Sequence, residues 1–183
     1  MKALYYALLL TMMSFSAYAA KSYPSDINLI RVYKSERRLD IVNRGNYVLK
    51  SYRIMLGASP IGHKTTEGDE KTPEGTYTLD SKNPQSKFYK SIHISYPNAK
   101  DKAQAKARGV SPGGDIMIHG IPNSFADFTK TLESFGLGGL SDDLIRSTII
   151  YFDWTNGCIA LNDNDMREVY NIIDIPTKIE IYP

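Results

Sequence analysis

The chain has 183 residues and a formal net charge of +2, from 22 lysines and arginines against 20 aspartates and glutamates. Because no basic run stands out in so balanced a sequence, the composition argues against nucleic acid as a partner. The length is enough for one domain with a sizeable hydrophobic core.

The first 19 residues have the three-part layout of a secretory signal peptide. Lys2 is their only charge, an apolar stretch follows it, and Ala17-Tyr18-Ala19 matches the small-x-small pattern of a cleavage site. The apolar stretch is shorter than the roughly 20 residues that a membrane span needs. We therefore predict cleavage near Ala19, leaving an exported domain of residues 20–183 with a net charge of +1 and no membrane span. An uncleaved N-terminal anchor is the alternative.

The first half of the exported domain predicts strands. Residues 28–57 alternate apolar and β-branched residues with polar ones, and turn-forming residues interrupt this pattern twice. Residues 57–75 are too rich in Gly, Thr, Lys and Asp for a helix or a central strand, and predict a loop. Strand character returns at residues 76–81 and 87–97.

The second half mixes helices with strands. A short polar helix is predicted at residues 99–108, followed by a buried strand that ends at His119-Gly120. The strand-formers from Ser147 to Phe152 predict another strand, which leads into Cys158. A capped helix from about Asn162 and a final strand at residues 177–183 complete a mostly-β domain with a few short helices.

Residues 121–140 predict one more helix between these elements. Four large apolar residues at spacings of three, four and three would line one of its faces: Phe125, Phe128, Leu132 and Phe135. The segment is either an ordinary core helix or a lid over a cleft, with glycines near its end as hinges.

Cys158 is the only cysteine, so it cannot form an internal disulfide. A buried thiol that packs as a small apolar side chain is one interpretation. In an oxidising compartment an unpaired thiol is a liability, so its retention favours a chemical role. Gly157 lets the chain turn tightly before it, and successive amides of such a turn can stabilise an oxyanion. These residue types suit acyl transfer by a thiol nucleophile.

The base for such a thiol would be one of the three histidines. His63 lies in the polar loop and is interpreted as solvated or on the substrate side, whereas His93 shares a strand face with Ser91 and Ser95. His119 ends an apolar strand and is followed by a glycine, which allows close approach to a partner. The three histidines and the cysteine show no zinc-binding spacing, so no metal site is predicted.

Four segments in order resemble the L,D-transpeptidase family, which has a YkuD-like catalytic domain. They are GDEKTPEGTYTL (residues 68–79), HISYPN (93–98), SPGGDIMIHG (111–120) and TNGCIAL (155–161). The resemblance covers residues 28–183 and implies a sandwich-like, mostly-β catalytic domain without a cofactor. It further implies export to the periplasm or the cell wall, and action on peptidoglycan stem peptides with release of the terminal D-alanine.

By position, the resemblance implies that Cys158 is the nucleophile, His119 its base and acid, and the carbonyl of Gly120 the group that orients the imidazole. The amides of Asn156, Gly157 and Cys158 would form the oxyanion hole. Further candidates, for substrate binding, are His93, Tyr96 and Thr155.

The sequence departs from the family pattern at three points. Asn156 stands where a histidine is usual, Ala160 stands where an arginine is frequent, and 39 positions separate His119 from Cys158. The acceptor stays open: a stem-peptide amine would give a crosslink, a lysine amine would attach a wall protein, and water would make the enzyme a carboxypeptidase or amidase. A non-catalytic wall-binding module is the alternative from another class.

Overall fold

Eight strands form one hydrogen-bonded sheet in a computed structural model, which describes residues 26–125 and 141–183 together with Glu133, Gly136 and Gly139. The strands are β1 Ile27–Tyr33, β2 Arg38–Asn43, β3 Val48–Arg53, β4 Gly75–Ser86, β5 Tyr89–Ile94, β6 Met117–His119, β7 Ile159–Ala160 and β8 Thr177–Tyr182. The helices in the described ranges are α1 Ala99–Ala107, α2 Asp142–Ile149 and α3 Asp163–Ile172. The prediction of a mostly-β domain with a few short helices is confirmed.

The sheet curls until the chain at one edge meets the other edge. Its strand order is β3-β2-β1-β8-β4-β5-β6-β7, with β1–β8 and β6–β7 parallel and the other pairs antiparallel. Met55, just after edge strand β3, exchanges two backbone hydrogen bonds of 2.9 and 2.8 Å with Ala160 in the opposite edge strand β7. The contact places the residues after β3 directly beside those that follow Cys158.

The main core lies inside this curl. Alternation along the strands turns Ile30, Leu39, Ile92, Ile118 and Ile159 inwards, and each is fully buried. Helix α3 adds its predicted apolar face to the same core, namely Met166, Val169 and Ile173. No helix in the described part of the chain is long and apolar enough to cross a membrane.

A second apolar cluster lies apart from the main core and includes Ala160, the neighbour of His119 in the sheet. Its buried members come from several segments: Met55, Ile121, Phe125, Ile145, Ile149, Trp154 and Ala160. Phe125 is therefore a packed residue, whereas Phe128, Leu132 and Phe135 lie outside the described residues, as does the predicted signal peptide. The choice between lid and core helix for residues 121–140 stays a prediction.

The predicted strand from Ser147 to Phe152 is wrong. Its first half belongs to helix α2, which begins after Ser141 and has the Ser141 hydroxyl accepting a 3.4 Å hydrogen bond from the amide of Leu144, and the rest is a turn. Ile145 and Ile149, one turn apart, both pack into the second cluster. Burial of this face outweighs the strand preference of the β-branched residues in the segment.

Helix α2 offers a test of this packing. Ile149→Ala should lower the free energy of unfolding by about 2–5 kcal/mol, because it leaves a cavity in the second cluster. Leu144→Ala in the same helix is the matched control, since Leu144 is 48% exposed and should cost well under half as much. Urea denaturation of both variants measures the difference, and equal losses would contradict the described packing of α2.

Candidate active site

Strands β6 and β7 bring Cys158 and His119 to one face of the sheet. Ile118 pairs with Ile159, and both side chains point into the main core. Because side chains alternate along a strand, His119 and Cys158, the neighbours of these two isoleucines, project from the opposite face. They are therefore diagonal neighbours on adjacent parallel strands, 39 positions apart in the sequence.

The Gly157-Cys158 turn rests on the loop that was predicted from residues 57–75. Gly157 has a φ of +120°, and a Cβ atom added to it would lie 2.6 Å from the carbonyl oxygen of Lys71. Facing it, a Cβ atom on Gly57 would lie 2.0 Å from the carbonyl oxygen of Glu70. Only glycine fits at either position, because the backbones of the loop and the turn are in direct contact.

Asp69 holds this loop in shape. Its carboxylate accepts hydrogen bonds from the amides of Thr65, Thr66 and Lys71, at 2.8, 3.0 and 3.1 Å, and from Lys64 Nζ at 2.9 Å. Burial raises the pKa of Asp69, but these donors outweigh it and lower the pKa to about 2. Asp69 therefore stabilises the loop against which the Gly157-Cys158 turn packs.

Two more residues of the same segment tie the loop to the sheet. Thr72 Oγ1 accepts a 3.1 Å hydrogen bond from the amide of Gly57. Glu74 forms a 2.7 Å ion pair with Lys34, a buried lysine of the β1–β2 turn. The Lys34 ammonium also donates hydrogen bonds to the carbonyls of Gly62 and Thr72. Sequence reasoning did not identify Lys34, because an isolated lysine after a strand gives no sign of its distant partners.

The imidazole of His119 is buried and oriented by the backbone. Its Nδ1 lies 2.7 Å from the carbonyl oxygen of Gly120, and its exposed fraction is 3%. A Cβ atom on Gly120 would lie 2.7 Å from Asp163 Oδ1, which accepts a hydrogen bond from the amide of Ile121. Glycine at position 120 therefore lets Asp163 and Tyr89 pack against the backbone whose carbonyl bonds the imidazole.

Two aromatic rings enclose the imidazole. The ring centroid of Phe88 lies 4.6 Å from that of His119, and the centroid of Trp154 lies 5.8 Å away in an edge-to-face arrangement. Sequence reasoning missed both residues, although Trp154 is the only tryptophan and stands four positions before the cysteine. Its proximity to the Gly-Cys turn was the one signal that could have identified it.

Burial sets the protonation of both groups. It lowers the pKa of His119 to about 4, against a smaller upward effect of the Gly120 carbonyl. Burial also raises the pKa of Cys158; a hydrogen bond from the Met117 amide and the charge of Lys64 lower it, while the charge of Asp115 raises it. A neighbouring imidazolium that lowers the thiol pKa is therefore not the arrangement in this protein, where thiol and imidazole are both neutral at pH 7.

The turn before Cys158 is held by Thr155. Its hydroxyl donates to the carbonyl of Cys158 at 2.7 Å and accepts from the amide of Gly157 at 3.1 Å. Thr155 is 3% exposed, and its side chain shapes the turn. A role of Thr155 in substrate binding stays a prediction.

Tyr96 and His63 each have defined hydrogen-bond partners. The hydroxyl of Tyr96, 3% exposed, donates to the carbonyl of Pro112 at 3.0 Å, so this residue packs in the core, and its role in substrate binding stays a prediction. His63 Nδ1 accepts from the amide of Glu74 at 2.9 Å, and its Nε2 lies 3.4 Å from Asp101. The side chain of His63 is bonded within the loop and is 24% exposed, so its interpretation as solvated or on the substrate side stays a prediction.

His93 does lie on the face of the sheet that carries the thiol. It pairs with Met117 across β5 and β6, while Ser91 pairs with His119, which confirms the predicted alternation of Ser91 and His93. Within the described residues, no group of three or more His, Cys, Asp or Glu side chains could hold a metal ion.

The pKa of His119 predicts how stability depends on pH. An unfolded histidine has a pKa of about 6.5, so between pH 6.5 and 4 the unfolded chain binds a proton that folded His119 does not. The contribution of His119 should therefore fall by up to about 3 kcal/mol as the pH drops through that window. Urea denaturation at pH 7 and 4.5 should show a smaller pH effect in His119→Gln, and an equal effect in both proteins would contradict the assignment.

The sequence and the fold were compared with known proteins. The family model for the L,D-transpeptidase catalytic domain (YkuD) matches residues 27–181. "Putative L,D-transpeptidase YafK" of Escherichia coli (strain K12) is 36% identical over 107 residues, which are 56% of this chain and 42% of that protein.

Two solved structures share the fold. The helical cell shape determining protein Pgp2 from Campylobacter jejuni has a TM-score of 0.58 and 25% identity, covering 87% of this chain and 49% of its own. Bd1075 of Bdellovibrio bacteriovorus has a TM-score of 0.53 and 21% identity, over 87% of this chain and 53% of its own, and it supports the fold alone. This chain thus spans about half the length of the relatives that it matches. The family match extends over nearly all of the described residues, and the chain belongs to the L,D-transpeptidase catalytic domain (YkuD) family.

Proposed function

We propose that this chain is a cysteine-dependent acyltransferase that acts on peptidoglycan stem peptides. The observation that carries the proposal is the arrangement of Cys158 and His119 on one face of adjacent strands, with the imidazole held by the Gly120 carbonyl at 2.7 Å. Membership of the L,D-transpeptidase catalytic domain family supplies the class of substrate. The substrate bond is the one between the third residue of the stem and a terminal D-alanine.

The role of His119 follows from its hydrogen bond. Because Nδ1 donates to the Gly120 carbonyl, the proton of the neutral imidazole lies on Nδ1 and the lone pair on Nε2. A pKa of about 4 keeps that lone pair available at any pH in the physiological range. His119 can therefore serve as a base without prior deprotonation.

Acylation begins with the attack of the thiol on the substrate. The Cys158 sulfur attacks the carbonyl carbon of the third residue while the thiol proton passes to His119 Nε2. The tetrahedral intermediate collapses, His119 protonates the leaving amine of D-alanine, and a thioester to Cys158 remains. The proton transfer accompanies the attack, because the raised pKa of Cys158 keeps the thiol protonated beforehand.

The oxyanion of that intermediate needs amide donors. Of the three amides that the family resemblance suggests, that of Gly157 already donates to Thr155 Oγ1 at 3.1 Å. We therefore assign the oxyanion hole chiefly to the amides of Asn156 and Cys158, with Gly157 supplying the positive φ that turns them.

The protein would carry out this reaction outside the cytoplasm. The predicted signal peptide supports export to the periplasm or cell wall, where peptidoglycan is the substrate. The neighbour Pgp2 is a cell shape determining protein, and this supports a role in shaping the wall. The matched part of this chain covers only about half of each relative, so their full activities are not transferred to it.

Loss of the thiol tests the nucleophile. Cys158→Ser and Cys158→Ala should each reduce D-alanine release from a tetrapeptide stem by at least about 10²-fold, because a hydroxyl has far less nucleophilic character at neutral pH. His119→Ala should cost a similar factor, since groups that act as a unit are not additive. Release of D-alanine and the thioester mass on the intact protein are measured together, with thermal unfolding as the control for folding.

Near-normal turnover by Cys158→Ser would contradict the mechanism, and no turnover by the folded parent chain would favour a non-catalytic wall-binding module. A thiol-reactive probe alone does not separate these cases. Slow labelling at neutral pH is expected of the enzyme as well, because burial raises the pKa of its thiol.

The acceptor is tested by the products. We expect transfer of the acyl group to an added amine, with hydrolysis to the tripeptide as the competing outcome. Mass spectrometry of digested wall fragments, with and without the amine, separates the two. Tripeptide yields that do not change with amine would make the chain a carboxypeptidase or amidase, and attachment of a lysine side chain would identify a wall protein as acceptor.

A further inference from the structure

His93 lies two strands away from Cys158 across the sheet. The pairing of Ile118 with Ile159 places Met117 beside Cys158, and Met117 pairs directly with His93 on the neighbouring strand β5. Adjacent strands are about 4.7–4.9 Å apart, and paired residues present their side chains on the same face. His93, Met117 and Cys158 therefore form a row across the sheet, with the methionine between the two polar groups.

The ring of His93 has a defined orientation. Its Nδ1 lies 2.7 Å from the Asp80 carboxylate, on strand β4, which borders β5 on the side away from β6. Asp80 thus occupies Nδ1 on the β4 side, and Nε2 is the ring nitrogen that is not bonded to it. A carboxylate accepts the proton of Nδ1, so Nε2 carries the lone pair and can accept a proton.

Transfer to an amine creates a need that His119 alone does not meet. A lysine-type amine has a pKa of about 10.4 and reaches the site as an ammonium ion. It must lose one proton before it can attack and a second one as the new amide forms. Water loses a single proton during its attack, and His119 suffices for that.

We propose, on the basis of the acyl transfer described above, that His93 is the base that removes the first proton from an ammonium acceptor. The proton moves from the ammonium to His93 Nε2, and the free amine then attacks the thioester carbon. The C–N bond forms as the second proton passes to His119. The C–S bond breaks, and the departing Cys158 sulfur recovers that proton from His119.

The exposure of His93 allows it to release its proton after each transfer. The side chains of His93 and Asp80 are 29% and 43% exposed, so the proton collected on His93 can leave to solvent. His119, by contrast, is enclosed by Phe88 and Trp154 and exchanges its proton with the reacting groups. The two histidines are thus suited to two different proton transfers in one reaction.

The test uses the full chain, a tetrapeptide stem as donor, and three acceptors. These are Nα-acetyl-lysine amide, which is an ammonium ion at pH 7, hydroxylamine, which is mostly uncharged there, and water. In His93→Gln, transfer to the lysine derivative should fall by about 10²-fold, the contribution of a general base. D-alanine release, hydrolysis and transfer to hydroxylamine should each change by less than about twofold.

Two further variants separate this role from a structural one. Asp80→Asn should show the same selectivity for the charged acceptor with a smaller loss, because it weakens the hydrogen bond that orients His93. His63→Gln is the matched control, since His63 is bonded to the Glu74 amide and Asp101, lies outside the row of His93, Met117 and Cys158, and should show no acceptor selectivity.

The outcomes distinguish the two levels of the proposal. Equal losses with all three acceptors in His93→Gln, while the parent chain forms the thioester and transfers it, would overturn the role of His93 and leave the acyltransferase intact. A parent chain that forms no thioester would overturn both. Selective loss with the lysine derivative alone would establish His93 as the acceptor-side base.

Discussion

Backbone contact between one loop and two glycines is the constraint on which the rest of the site depends. The carbonyls of Glu70 and Lys71 lie against Gly57 and Gly157, at distances that no Cβ atom would allow. This contact joins the residues after β3 to the Gly-Cys turn, where the curled sheet closes on itself. Asp69 and its donors keep the loop in shape, so the polar network of the loop helps to determine where Cys158 lies.

The neutrality of His119 depends on packing beneath and around it. Ala160, its partner across β6 and β7, is fully buried in the second cluster with Met55 and Trp154. An arginine at position 160, frequent in the family, would bring a charge and a long side chain into this packing. The small residue lets apolar groups enclose the imidazole, and their low polarity accounts for a pKa of about 4. The presence of Ala160 in place of the arginine that is frequent in the family is thus linked to the apolar environment of the base.

The sequence predicted those features that depend on local pattern. Alternation identified the strands, and the apolar spacing of residues such as Met166 and Val169 identified helix α3. Local pattern failed at α2, where strand-forming residues are helical because Ile145 and Ile149 need one buried face. It gave no sign of the partners of Tyr96 and His63, which lie far along the chain. The aromatic rings around His119 could not be predicted either, because only the fold brings Phe88 and Trp154 together.

Two histidines with opposite surroundings lie on the same face of the sheet, and this contrast bears on how one site could handle two acceptors. His119 is buried and enclosed by aromatic rings, and this burial favours the uncharged imidazole. His93 is partly exposed, and its Nδ1 is bonded to the carboxylate of Asp80. A buried base suits a proton that must return to the sulfur, whereas an exposed one suits a proton that must leave. The fate of the thioester would then depend on the charge of the acceptor that arrives between them, more than on the reactivity of Cys158 itself.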